Sequence, residues 1–147
     1  NDPSLGKLAD VLAKADVVTI HVPLTPDTRG LLDARRIAGM KRGAIVVNTS
    51  RGGIIDEKAL ADALAEGRLG GAGIDVFDKE PPAAANPLLS APRAILTPHA
   101  AALTRECTVR MAVLAAERVI AQLSGKVPDN VANPEVLADT RWRSLAR

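Results

Sequence analysis

The chain has 147 residues, of which 47% are hydrophobic and 24% charged, a composition typical of a globular domain and unlike that of disordered or membrane proteins. Its 19 basic and 17 acidic residues are scattered, and Phe77 and Trp142 are its only aromatic residues, so a nucleic-acid partner is not expected. No apolar run is long enough to span a membrane, no leader opens the chain, and the single Cys107 excludes a disulfide or zinc cluster, so we expect a cytoplasmic protein without a metal.

Helical and extended patterns alternate from the start of the chain. Residues 8–15 carry apolar side chains at helical spacing, and the β-branched run at 17–22, which Pro23 ends, predicts a strand. Asp33 is placed as the N-cap of a short helix that Gly39 would end. The first third of the chain therefore predicts helix, strand and helix.

The middle of the chain continues this alternation. Residues 44–48 are continuously apolar, which predicts a strand covered on both faces in a parallel sheet. Asp56 is placed as the N-cap of a further helix, and Gly67 as its end. Two more strands are predicted at 72–76 and 94–97, with a proline-rich loop at 80–92 between them.

The last predicted element is a long helix. Apolar residues line one face from about Thr104 to Leu123, and Gly125 lies just past its end. Cys107 is expected as a small buried residue on this helix. Strands that alternate with helices predict an α/β fold with parallel β-α units, in which ligands bind outside the carboxyl ends of the strands.

Polar residues follow three of the predicted strands. Arg51 comes in the loop after the second strand, Asp75 lies in the third with Glu80 beyond it, and His99 follows the fourth. Because the carboxyl ends of parallel strands share one edge, an arginine, an acid and a histidine should meet in one crevice.

This grouping suits carbonyl chemistry. Hydride transfer to a ketone leaves negative charge on oxygen, and a histidine can supply the proton that neutralises it. A carboxylate such as Glu80, hydrogen-bonded to the ring, would favour imidazolium and fix the orientation of the ring. A guanidinium such as Arg51 can bind a substrate carboxylate through two parallel hydrogen bonds.

Four motifs, in order and spacing, resemble the D-isomer-specific 2-hydroxyacid dehydrogenases, which include phosphoglycerate, glycerate and lactate dehydrogenases. The resemblance covers roughly residues 8–134 and rests on these segments: Ala15-Asp16-Val17-Val18 through His21-Val22-Pro23-Leu24-Thr25; Val47-Asn48-Thr49-Ser50-Arg51-Gly52-Gly53; Gly73-Ile74-Asp75-Val76-Phe77 with Glu80-Pro81; and Thr97-Pro98-His99-Ala100-Ala101.

The resemblance implies roles for particular residues. Arg51 would bind the substrate carboxylate and carbonyl, His99 would be the acid/base on the C2 oxygen, and Glu80 would support His99. The cofactor would be NAD, and Asp75 would hold its carboxamide. Further cofactor contacts around the nicotinamide and its ribose are implied for Val22, Thr49, Ser50, Arg51, His99 and Ala101.

The sequence departs from the family pattern in one important respect. It contains no Gly-x-Gly-x-x-Gly turn, on which the pyrophosphate of the dinucleotide rests in the family, and no substrate-binding domain. We therefore expect the later half of a Rossmann-type doubly wound sheet at 1–125, followed by a C-terminal tail at 126–147. The strand edge left open should make the isolated chain poorly stable or oligomeric, as a homodimer or larger assembly, and the chain alone should bind NAD weakly or not at all and be inactive.

Two functions follow from the resemblance. The first is an NAD-dependent oxidoreductase that interconverts a D-2-hydroxy acid and a 2-oxo acid, of the phosphoglycerate dehydrogenase or glyoxylate/hydroxypyruvate reductase type. The alternative is a non-catalytic dinucleotide-sensing interaction module of the same ancestry, similar to transcriptional co-repressors. The choice between NAD and NADP stays open at this point.

Overall fold

The computed structural model of the protein describes residues 7–127 and 129–139. Residues up to Ala101 form one compact unit, and residues from Ala102 form a second. The first unit contains α1 (Leu8–Lys14), β1 (Val17–Ile20), α2 (Ala34–Gly39), β2 (Ile45–Asn48), α3 (Glu57–Ala65), β3 (Gly71–Ile74), a 3₁₀ helix (Pro87–Ser90) and β4 (Ala94–Leu96). The second contains α4 (Arg105–Leu123) and a 3₁₀ helix (Pro134–Ala138).

The strands form one parallel sheet in the order β1-β2-β3-β4. The register places Ile20 beside Asn48, Asn48 beside Ile74, and Ile74 beside Leu96, so the carboxyl ends of all four strands are level. The predicted α/β class with a parallel sheet is therefore confirmed. The loops that leave β2, β3 and β4 begin at one edge of the sheet, which is where the candidate residues lie.

The core lies on one face of the sheet. Alternate strand residues, including Ile20, Val46 and Ile74, are buried with apolar residues of the helices: Leu12, Ile37, Leu60 and Leu64. On the opposite face Ile45 is 41% exposed and Ile95 is 73% exposed. The prediction that residues 44–48 are covered on both faces is therefore wrong for the residues that the structure describes, since α1 to α3 bury Val46 but leave Ile45 accessible.

The predicted helix caps are largely confirmed. Asp33 Oδ1 accepts a hydrogen bond from the Arg36 N–H at 2.7 Å, and Asp56 Oδ1 accepts one from the Ala59 N–H at 2.9 Å. Gly67 ends α3 with a φ of 67°. Gly39 is the last residue of α2, as predicted, and the chain becomes extended at Met40.

Two further predictions need correction. The stretch 80–92 is not all loop, since Asn86 Oδ1 accepts from the Leu88 N–H at 3.0 Å and begins a 3₁₀ helix that buries Leu88. Asp75 lies directly after β3 rather than inside it.

The predicted long helix is confirmed to within one residue at its start. Thr104 Oγ1 accepts from the Cys107 N–H at 3.1 Å, and Gly125 has a φ of 71°. Cys107 is half-buried rather than buried. Residue 128 and residues 140–147 of the expected tail lie outside the described residues, and the division at residue 125 stays a prediction. Among the described helices, none is both long and apolar enough to cross a membrane.

Candidate active site

A buried asparagine organises the loop after β2. Asn48 is 2% exposed, and its Oδ1 accepts hydrogen bonds from the N–H (3.1 Å) and the hydroxyl (2.9 Å) of Ser50. Its Nδ2 donates to the Arg51 carbonyl at 2.9 Å. These bonds satisfy the hydrogen-bonding groups of the buried amide and fix the loop backbone at Arg51.

Arg51 extends from this loop into an open cavity. Its Nη1 donates to the Ser50 carbonyl at 2.7 Å. The cavity has a volume of about 240 Å³ and is lined by Leu24, Arg51, Gly52, Phe77, Asp78, Glu80 and His99. Among the ion pairs formed within 7–127 and 129–139, none includes Arg51. Its guanidinium therefore keeps donors for an external anion, and its planar geometry suits a carboxylate.

The loops after β2 and β3 are in direct contact at Gly52. A Cβ atom at this position would lie 1.8 Å from the Phe77 carbonyl oxygen and 2.5 Å from the Asp78 nitrogen. Those are backbone atoms, so no side-chain rotation can make room. Only glycine fits at this position, because it has no Cβ atom. The loop that carries Arg51 can therefore lie against the loop that carries Glu80.

Asp75, the first residue after β3, is 3% exposed, and its carboxylate accepts three hydrogen bonds. Its Oδ1 accepts from the Thr97 hydroxyl (2.5 Å) and the Ala100 N–H (2.7 Å), and its Oδ2 accepts from the Ala101 N–H (2.9 Å). Burial is the largest single influence and raises the pKa of Asp75, but the three hydrogen bonds together outweigh it, so the pKa lies below its ordinary value. Asp75 is a buried carboxylate that holds the 97–101 turn.

Glu80 and His99 form the closest pair of ionisable groups in the cavity. His99 Nδ1 and Glu80 Oε2 are 2.8 Å apart, and Glu80 Oε1 accepts from the Phe77 N–H at 3.0 Å. The hydrogen bond from His99, followed by that from Phe77, lowers the pKa of Glu80. Glu80 is therefore an anion near neutral pH and can only accept, which assigns the shared proton to Nδ1 and leaves Nε2 to face a substrate.

The backbone at His99 has an unusual conformation. Its φ is 53°, in the left-handed region that residues other than glycine seldom adopt. The His99 N–H donates to the Asp75 carbonyl at 2.8 Å, and Asp75 also binds the next two N–H groups with its side chain. Asp75 thus stabilises the strained turn through both its main chain and its side chain. Strained backbone that is held in this way is typical of functional sites.

The structure brings some of the predicted site residues together and leaves others apart. Arg51, Glu80 and His99 line the same cavity. Ala101 joins Asp75 through its N–H, and Ser50 joins Asn48. Val22, which is 37% exposed, and the exposed Thr49 follow β1 and β2 at the same edge of the sheet but do not line this cavity.

The sequence reasoning missed residues that line the cavity or support it from outside. Leu24 lines the cavity, Thr97 binds Asp75, and Glu57 accepts a hydrogen bond from the Asp78 N–H. Thr97 could have been found from register, because a parallel sheet places the ends of the third and fourth strands side by side. Glu57 gives no such signal, since an acidic residue in the first turn of a helix is common for electrostatic reasons alone.

The residues at this edge fit the nicotinamide end of a dinucleotide. A carboxylate offers about four acceptor positions, and the hydrogen bonds to Asp75 use two on Oδ1 and one on Oδ2. The remaining position on Oδ2 can accept an N–H of a carboxamide. In the part of the chain that the structure describes, no group of His, Cys, Asp and Glu side chains is arranged to hold a metal ion.

Comparisons with known proteins show which proteins this chain resembles. Residues 2–101 match the family model described as the NAD binding domain of D-isomer specific 2-hydroxyacid dehydrogenases. A glyoxylate reductase of Aeropyrum pernix is 46% identical over 130 residues, which are 88% of this chain and 39% of that protein. A D-3-phosphoglycerate dehydrogenase of Methanocaldococcus jannaschii is 46% identical over 124 residues, 84% of this chain and 24% of that protein.

Solved structures show the same relationship. A D-lactate dehydrogenase of Lactobacillus jensenii, solved with NAD⁺, matches with a TM-score of 0.79 and 29% identity over 86% of this chain and 42% of that chain. The predicted Rossmann-type fold is therefore confirmed. This chain spans about two-fifths or less of the length of each of these three proteins.

Proposed function

Since the chain belongs to the D-isomer specific 2-hydroxyacid dehydrogenase family, we propose that the protein containing it is an NAD-dependent oxidoreductase that interconverts a D-2-hydroxy acid and a 2-oxo acid. The observation that carries the proposal is the 2.8 Å contact between His99 Nδ1 and Glu80 Oε2 in a cavity that Arg51 also lines. An acid–base pair beside a free guanidinium is what the reduction of a 2-oxo acid requires.

The three side chains divide the work in this proposal. Arg51 binds the substrate carboxylate and so places the C2 carbonyl in front of His99. Bound NADH supplies the hydride. As C2 is reduced, His99 donates the proton on Nε2 to the C2 oxygen, and it takes that proton back when the hydroxy acid is oxidised. Glu80 keeps the Nδ1 proton in place throughout, which fixes the orientation of the ring.

We propose that the nicotinamide end of the cofactor contacts Asp75, together with Val22, Thr49, Ser50, Arg51, His99 and Ala101. Support comes from the unused acceptor position on Asp75 Oδ2 and from the position of these residues at the carboxyl edge of the sheet. The sequence has no Gly-x-Gly-x-x-Gly turn, so these residues do not account for binding of the pyrophosphate.

Steady-state kinetics tests the proposal. The full-length gene product that contains this chain should reduce glyoxylate, hydroxypyruvate or 3-phosphohydroxypyruvate with NADH, since the relatives include a glyoxylate reductase and a phosphoglycerate dehydrogenase. A His99→Ala variant should lose roughly 10²- to 10⁴-fold in kcat, the usual contribution of a general acid. Equal rates in both proteins would remove His99 from the mechanism, and NADH binding without turnover of any 2-oxo acid would favour the alternative of a non-catalytic sensing module.

The remaining parts of the proposal concern organisation. Residues 1–125 would belong to the NAD-binding domain and 126–147 to a tail, in a cytoplasmic protein that forms a homodimer or a larger homo-oligomer. In the isolated chain, the edge of β1 and the sheet face around Ile45 are exposed and offer a surface for association. Sedimentation of the full-length gene product as a monomer would contradict the last point.

A further inference from the structure

The segment that carries Glu80 is held from outside the cavity by a second glutamate. Glu57 lies in the first turn of α3 and is half-buried. Its Oε1 accepts from the Asp78 N–H at 2.6 Å, and its Oε2 accepts from Asn86 Nδ2 at 2.6 Å. Both carboxylate oxygens therefore bind the segment 78–86, one near each end, and Glu80 lies between these two points.

Two consecutive backbone N–H groups bind the two glutamates. The Phe77 N–H donates to Glu80 Oε1 at 3.0 Å, and the next N–H, that of Asp78, donates to Glu57 Oε1. Because these two N–H groups belong to adjacent residues, the positions of the Glu57 and Glu80 carboxylates are linked through the backbone of Phe77. A shift of Asp78 away from Glu57 would therefore move the donor that holds Glu80, which in turn is bonded to His99.

The other end of the segment is fixed to the core. Asn86 Oδ1 accepts from the N–H of Leu88, whose side chain is 1% exposed. This bond determines which atom of the Asn86 amide faces Glu57, and that atom is the Nδ2 donor. Glu57 must therefore accept at both oxygens, which a carboxylate can do and a glutamine amide cannot.

We propose that Glu57 is a positioning residue for the reaction, which sets the place of Glu80, and through it the orientation of the His99 ring, by holding segment 78–86 at Asp78 and Asn86. The inference rests on the proposed function, because it assigns Glu80 and His99 to the chemistry. Glu57 does not touch the cavity that contains Arg51 and His99. An acidic residue that served only the helix dipole would affect stability and leave the kinetics unchanged.

The hydrogen bond between Asn86 and Glu57 can be tested by exchanging which of the two side chains donates and which accepts. Glu57→Gln places one amide donor against another and breaks the bond to Asn86. The double variant Glu57→Gln with Asn86→Asp should restore all three bonds. The aspartate at 86 accepts from the glutamine amide and from the Leu88 N–H, and the glutamine oxygen at 57 accepts from the Asp78 N–H. Glu66→Gln, the same chemical change at the other end of α3, is the matched control.

These variants are made in the full-length gene product and compared by steady-state kinetics with NADH and a 2-oxo acid. We expect Glu57→Gln to lower kcat by roughly 10- to 100-fold, as displacement of reacting groups by about 1 Å does, with KM for the oxo acid within about threefold. The double variant should recover most of kcat, and Glu66→Gln should match the wild type. An unchanged kcat in Glu57→Gln, or no recovery in the double variant, would overturn the proposal.

Hydrogen exchange provides a readout independent of turnover. The Phe77 amide, which binds Glu80 and not Glu57, should exchange faster in Glu57→Gln and return to the wild-type rate in the double variant. If the wild type reduces no 2-oxo acid, the proposed function fails, while this measurement still reports whether Glu57 holds the Glu80 loop. Unchanged exchange at Phe77 would contradict the positioning role whatever the reaction is.

Discussion

Replacing Gly52 by alanine should damage the candidate active site, because the added methyl group has no room. The added Cβ would lie 1.8 Å from the Phe77 carbonyl oxygen and 2.1 Å from its carbon, whereas real Cβ atoms stay at about 3.0 Å or more from such atoms. The two loops must therefore separate by about 1 Å. Overpacking of this kind typically costs about 1–3 kcal/mol of unfolding free energy, and here it acts on backbone atoms, so we expect the upper part of that range.

The same movement should reduce catalysis. Gly52 directly follows Arg51, and Phe77 donates to Glu80, so the separation moves the proposed substrate-binding group away from the proposed acid–base pair. A displacement of about 1 Å between reacting groups can cost on the order of 10²-fold in rate. In the full-length gene product, urea unfolding followed by circular dichroism measures the first effect, and kcat measures the second.

Gly39→Ala is the matched control for this experiment. Gly39 is the last residue of α2, and a Cβ there would have no atom within 4 Å. Alanine is a better helix former than glycine by up to about 1 kcal/mol, so this variant should be neutral or more stable, with unchanged kcat. If Gly52→Ala proved as stable and as active as Gly39→Ala, the close approach of the two loops would not be a property of the protein.

Three further substitutions test the supporting contacts. Asp75→Asn should lower the free energy of unfolding by about 1–3 kcal/mol at neutral pH, because the new amide donor would face a donor of the 97–101 turn. Since folding lowers the pKa of Asp75, the wild type should be fully stabilised above the ordinary pKa near 4 and should lose this advantage as the pH falls below it. Urea unfolding at several pH values measures this dependence. Asn48→Ala should raise KM for the 2-oxo acid, because it frees the backbone of the loop that carries Arg51, and a KM equal to that of the wild type would contradict this role. Thr104→Ala should destabilise the start of α4 by about 1 kcal/mol, which hydrogen exchange in the first helical turn would reveal.

The fold was largely predictable because its signals are local. Asp33, Asp56 and Thr104 cap helices through bonds to residues three positions later, and such bonds follow from short stretches of sequence. The alternation of strand and helix then predicted a parallel sheet. The coverage of β2 could not be predicted, since an apolar residue such as Ile45 has the same sequence pattern whether its face is buried or exposed.

The candidate site was predictable in its members but not in its supports. Strand ends place Arg51, Glu80 and His99 at one edge whatever the details of the loops, so topology was enough to group them. Glu57 supports the site through Asp78, from a helix that the pattern assigns to the core and 21 residues away in sequence. Contacts of that kind depend on the path of the loop, which no local pattern specifies.

Each side chain in the proposed mechanism is held by a partner outside that mechanism. Asn48 holds the loop of Arg51, Asp75 holds the turn of His99, and Glu57 holds the segment of Glu80, and these three partners contribute hydrogen bonds of 3.1 Å or shorter within the first unit. Hydrogen bonds within the protein therefore hold Arg51, Glu80 and His99 in place, which is the condition for electrostatic stabilisation without reorganisation during the proposed reaction. Changes at Glu57 should consequently appear mainly in kcat, because they alter the position of the proposed acid–base pair rather than that of the Arg51 guanidinium.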